Sequence, residues 1–121
     1  MGRGRTRTNN HKDNDMNKPI DLAAARTVLD IRYPGLNASL SEVLLHARAY
    51  RADTLAALAA EADQLAVKAW EAADHYGNIG WPDYAGRARY DARAEETRAA
   101  VYRAAIDIQG LVAAQAAGEV I

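Results

Sequence analysis

Two long stretches repeat their apolar residues with a helical period, Leu40–Tyr76 and Asp83–Ala117, and neither contains proline. Between them runs Tyr76-Gly77-Asn78-Ile79-Gly80-Trp81-Pro82-Asp83. Its glycines and asparagine tolerate left-handed backbone, and Pro82 brings a φ suited to the first turn of a new helix. The pattern predicts an antiparallel helical hairpin with arms of roughly 50 Å, at 1.5 Å per residue. Ser39 and Glu42 form a capping box at the start of the first arm.

At 100° per residue, Leu40, Leu44, Ala47, Leu55, Leu58, Ala62, Leu65, Ala69 and Tyr76 share one side of that arm. Glu42, His46, Asp53, Gln64, Lys68, Glu71 and His75 occupy the other. Arg51 falls inside the apolar stripe. Either its stem lies along apolar surface with the head at the edge, or it forms an ion pair that fixes register. With the bend near residues 79–80, Asp107 comes level with Arg51 and is the natural counter-ion.

The second arm carries two apolar stripes. Tyr90, Ala94, Val101, Ile108 and Val112 form the seam expected against the first arm. Tyr84, Ala88, Ala99, Tyr102 and Ile106 form another, about 120° away. A helix with two apolar faces needs two neighbours, so part of the second face is a candidate protein-binding surface. Tyr84, Tyr102 and Ile106 would serve it, together with Trp70 and Trp81 from the aromatic cluster around the bend (Trp70, Tyr76, Trp81, Tyr84, Tyr90). That cluster reads either as a plug closing the hairpin's open end or as a binding hot spot.

Upstream, Leu22, Ala25, Val28 and Leu29 recur at helical spacing between Pro19 and Pro34-Gly35, which predicts a short helix over residues 20–31 packed on the hairpin. Residues 1–18 have almost no apolar content and predict a flexible basic arm, disordered in isolation. The expected organisation is therefore all-α: an arm over residues 1–18 and one domain over residues 19–121, with helices about 20–31, 40–76 and 83–117.

Composition narrows the chemistry. Half of the 121 residues are apolar, but alanine is the commonest and phenylalanine is absent, so the core is thin. A second copy of the chain is the simplest way to thicken it, giving a homo-oligomeric four-helix bundle. With no cysteine, thiolate zinc sites, disulfides and thiol catalysis are excluded. No apolar run reaches the roughly 20 residues that span a bilayer, and the N-terminus lacks a secretory apolar core. A cytoplasmic protein without a membrane partner is expected.

Glu71, Asp74 and His75 put acids and a histidine on one helix, but from its polar side, and His46 is too distant along the same helix to join them. Ser39 and Ser41 are explained by capping, and no phosphate-binding glycine loop follows a strand. No enzyme activity, metal, cofactor or small-molecule substrate is expected.

Charge divides unevenly. Residues 1–19 carry five basic and two acidic side chains, a net of +3, whereas residues 20–121 carry ten and fourteen, a net of −4. Gly2-Arg3-Gly4-Arg5-Thr6-Arg7 resembles the centre of an AT-hook without its flanking prolines, and that resemblance implies minor-groove contact through Arg3, Arg5 and Arg7. The sequence thus points first to a non-catalytic assembly protein that binds itself or another protein, of phage or mobile-element type in a GC-rich host. Its alternative is a nucleic-acid accessory protein anchored by the arm.

Overall fold

The computed structural model describes residues 20–118, which form four α-helices and no strand. These are α1 (Leu22–Arg32), α2 (Leu40–Ala49), α3 (Ala52–Asn78) and α4 (Pro82–Ala116). The all-α hairpin is present, with α3 and α4 as its arms, and α1 and α2 both pack on α4.

Local chemistry sets the boundaries. The Asp21 side chain accepts from the Ala24 amide at 3.1 Å to open α1, and Ser39 Oγ accepts from the Glu42 amide at 3.1 Å to open α2. At the bend, Trp81 N–H donates to the Tyr76 carbonyl at 2.9 Å and Gly80 N–H to the Gly77 carbonyl at 3.3 Å. This pair of bonds, with Gly80 left-handed at φ 80°, is a Schellman closure. The apolar contact that accompanies such closures is the stack of Tyr76 on Trp81. Pro82 then starts α4, where its missing amide hydrogen leaves no helical bond unmade.

The expected single helix over residues 40–76 is broken. Tyr50 and Arg51 are both extended, at ψ 151° and 161°, and separate α2 from α3 without proline or glycine. Two carbonyls around the break, those of Ala47 and Tyr50, accept from Gln109 Nε2 of α4 at 2.9 and 2.7 Å. A side chain about 60 residues away thus satisfies groups that a continuous helix would satisfy itself. Gln109→Leu is expected to cost about 1–2 kcal/mol by leaving those carbonyls unpaired. Urea denaturation measures this, and a loss below about 0.5 kcal/mol would show that the break does not depend on Gln109.

The core has two zones. At the base, Ala25 and Leu29 of α1, Val43, Leu44 and Ala47 of α2, and Leu55 of α3 close over Val101, Ala104, Ala105, Ile108 and Val112 of α4. Towards the bend, α3 buries Ala59, Ala62, Ala66 and Ala73, and α4 buries Ala85, Ala88, Ala92 and Ala99. Both sets step by three, four and then seven residues, the spacing of a coiled-coil seam, with methyl groups as knobs.

This arrangement exchanges the two stripes expected on α4. Ala88 and Ala99 belong to the seam with α3, whereas Val101, Ile108 and Val112 lie roughly opposite, under α1 and α2. Tyr90 is 74% exposed, and Ala94 is exposed too. On α3 the interior stripe turns from the leucines towards the alanines, leaving Leu65 exposed. Both apolar faces of α4 satisfy helical periodicity, so phase alone cannot choose between them. Packing does: alanines admit close approach of two long helices, while the bulkier Val101 and Ile108 fill the wider space beneath two short ones.

Candidate functional site

Three aromatic rings crown the bend. Tyr76 and Trp81 stack with centroids 6.0 Å apart and planes 11° apart, and Tyr84 tilts against both at 5.4 and 5.5 Å. The rings are too close together to admit a ligand between them, so the cluster presents an outer surface and not a cage. Trp81 is 51% and Tyr84 58% exposed, and Ile79 beside them is exposed as well.

One flank of the hairpin is bridged by polar contacts. Arg103 donates to Asp63 through both terminal guanidinium nitrogens, one bond measuring 3.3 Å. That guanidinium holds the Asp63 carboxyl below its usual range. Both groups are about half exposed, so the pair contributes no more than about 1 kcal/mol. Trp70 Nε1 donates to Glu96 Oε2 at 2.8 Å, and the Arg93 guanidinium lies 5.8 Å from the Trp70 ring. Trp70, expected to bind a partner, is half-buried and engaged within the chain.

The other flank lacks such bridges between α3 and α4 among the described residues. Tyr84, Arg87, Asp91, Glu95, Arg98 and Tyr102 of α4 fall there within about 80° of arc. Glu95 reaches towards the alanine seam, and its Oε1 is buried without a hydrogen-bond donor. Arg98, 57% exposed, approaches that oxygen to only 3.6 Å. At the base of the flank the half-buried His46 meets Tyr102 edge to face at 5.3 Å and stacks on Tyr50 at 6.1 Å. Sequence periodicity places His46 among solvent-facing residues, and Leu44 and Ala47 are indeed the buried side of α2; His46 lies at the edge of that side, where Tyr102 of α4 half-covers it.

Tyr102 and Ile106 are both half-buried against the base of the core. The face expected to be open at these residues is therefore largely covered by the chain itself, and the uncovered apolar groups gather nearer the bend. The expected pair between Arg51 and Asp107 is not formed. Arg51 stands at the exposed break and lies 3.6 Å from Asp53. Asp107 instead accepts from the Tyr33 hydroxyl at 2.6 Å and lies 3.3 Å from Arg32. Its partners come from the end of α1, which the hairpin register alone could not reveal.

The Tyr33 phenol is pushed up to about 12, first by burial and then by its hydrogen bond to Asp107 and that carboxylate's charge. A group whose folded pKa lies above its ordinary value of 10.0 contributes stability that is complete below pH 10 and lost as pH rises through about 12. A tyrosinate absorbance step near pH 12 is expected in the wild type and absent from Tyr33→Phe, which should also lose about 1 kcal/mol at neutral pH. An unchanged titration would contradict this contact.

A shallow cleft of about 540 Å³ separates the Tyr33–Asn37 loop from α4. Of its charged lining residues, Arg32 lies 3.3 Å from Asp107 and Glu96 accepts from Trp70, both partners standing outside the cleft. Glu71, Asp74 and His75 are exposed, and no three acidic or histidine side chains come together as a metal site among the described residues. No helix among them is long and apolar enough to cross a membrane. Arg3, Arg5 and Arg7 lie outside the described residues. Comparison with protein-family models, curated proteins and solved structures found no match to this chain.

Proposed function

We propose that this chain is a non-catalytic assembly protein, whose work is to present a preformed aromatic surface at the end of a helical hairpin to another protein. The observation that carries this reading is the half exposure of Trp81 and Tyr84 on a tightly closed turn. The Schellman bonds and the ring stack fix these side chains before any partner arrives, so little rotamer freedom remains to be lost on contact. Large exposed aromatic residues concentrate binding energy.

Chemical cross-linking of the full chain, in extract of cells that produce it, tests the reading. Discrete products above the mass of the monomer are expected, and Trp81→Ala/Tyr84→Ala should abolish them while circular dichroism shows the helices intact. Products that survive the double substitution, or monomer alone, would contradict it.

Contact with nucleic acid through Arg3, Arg5 and Arg7 is the alternative, supported by the +3 charge of residues 1–19. It requires duplex binding that weakens steeply with salt and vanishes on deletion of residues 1–15. Binding that survives the deletion would sink it.

A further inference from the structure

The break between α2 and α3 is held from outside. Tyr50 N–H donates to the His46 carbonyl and Leu55 N–H to the Arg51 carbonyl, while the amides of residues 51–54 between them make no helical bond. The Thr54 amide turns instead to the Asp53 carboxylate at 2.8 Å, and no side chain caps the start of α3. In a continuous helix the Arg51 amide would donate to Ala47 and the Thr54 amide to Tyr50. Those are the two carbonyls that Gln109 Nε2 occupies, at 2.9 and 2.7 Å. Gln109 and a straight helix therefore compete for the same acceptors.

Nothing in the local sequence demands the break. Neither Tyr50 nor Arg51 is a helix breaker, and the stripe through Leu44, Ala47, Leu55 and Leu58 keeps helical period across them. α1 and α2 pack on α4 and on each other, so they can move as one unit about the two extended residues. Straightening lifts that unit from Val101 and Ile108, which are buried beneath it and costly to expose. A second copy straightened in the same way bares the same site and carries the unit that fits it. We infer that the α2–α3 break is a hinge through which two copies exchange α1 and α2. Each copy's unit then docks on the other's α4, and residues 40–78 run as one helix. The interface is the base of the core, made between copies instead of within one, so no further surface is needed. Exchange gains helical bonds at both hinges but loses the freedom of two separate molecules. The bent monomer is thus the dilute form and the exchanged dimer the concentrated one. The inference stands apart from the aromatic surface at the bend, which both forms present, and cross-linking in dilute extract reports that surface.

Proline at position 51 separates the two forms. Arg51 has φ −77°, within proline's range, and Tyr50 before it is extended at φ −132° and ψ 151°, as a residue preceding proline prefers. The Arg51 amide has no backbone bond to lose. Arg51→Pro therefore fits the bent chain and breaks the straight helix, whereas Gln109→Ala frees the carbonyls that the straight helix uses. Sedimentation equilibrium of the full chain, from micromolar to millimolar concentration, measures the outcome. Wild type should pass from monomer to dimer, and Gln109→Ala should dimerise roughly tenfold or more tightly. Arg51→Pro, alone or with Gln109→Ala, should stay monomeric throughout while circular dichroism shows its helices intact. In a Gln109→Ala dimer mixed from isotope-labelled and unlabelled copies, filtered nuclear Overhauser contacts should join Val43 of one copy to Ile108 of the other.

Monomer at millimolar concentration, in wild type or in Gln109→Ala, would overturn the inference. So would a dimer that survives Arg51→Pro, or one whose Val43–Ile108 contacts all lie within single copies. None of these outcomes touches Trp81 and Tyr84, so the reading of the aromatic surface stands or falls by its own cross-link.

Discussion

Ile108→Ala is expected to lower the free energy of unfolding by about 3–4 kcal/mol, the range for truncating a large aliphatic side chain in a packed core. Ile108 is fully buried at the base, in the cluster where residues of all four helices meet. Alanine there removes apolar contact with α1 and α2 and leaves a cavity that four converging helices cannot readily close. For a domain with total stability of about 5–15 kcal/mol, such a loss is large. Urea denaturation measures it, and Tyr90→Ala is the control. Tyr90 is 74% exposed, so its loss should cost no more than about 0.5 kcal/mol. Comparable losses at the two positions would mean that α4 is rotated from the orientation described.

Ala92→Leu should have an effect of similar size and opposite origin. Ala92 is fully buried in the seam between α3 and α4, where neighbouring buried positions are also alanine. The added isobutyl group cannot fit without separating the helices, which costs about 3 kcal/mol, at the upper end of ordinary overpacking. Leucine has good helix propensity, so the loss cannot be assigned to the helix itself. Ala94→Leu, two residues on and exposed, should be nearly neutral in the same denaturation experiment. If Ala92→Leu were neutral, the close alanine seam would not exist.

Much of this architecture is legible in the residues. The bend, the capped start at Ser39, the short helix before Pro34 and the two apolar faces of the last helix each have a local cause that sequence displays. The rest depended on tertiary choice. The break at Tyr50-Arg51 carries no proline or glycine, and the side chain that satisfies its carbonyls, Gln109, lies about 60 residues away. Which stripe of α4 meets α3 was undecidable from phase, because both stripes are apolar. Taking the bulkier stripe as the seam leaves Tyr102 and Ile106 open, whereas α2 and the base of the core partly cover them.

The candidate site was half visible for the same reasons. Trp81 and Tyr84 were recognisable from their chemistry and their place at the bend. Trp70 looked equivalent, yet its indole is committed to Glu96 across the hairpin. The arginines and acids between Tyr84 and Tyr102 carry no signal in the sequence, since alternating charge on a helix is ordinary.

Which flank of α4 stays open follows from which faces are buried, and methyl–methyl nuclear Overhauser contacts report those faces. Contacts are expected from the methyls of Ala85, Ala88, Ala92 and Ala99 to those of Ala59, Ala62, Ala66 and Ala73. Contacts from Val101, Ile108 and Val112 to Leu29, Val43 and Leu44 are expected as well. Contacts of Ala94 and Val101 with Ala62 and Ala66, together with a Tyr90 ring buried against α3, would contradict that packing.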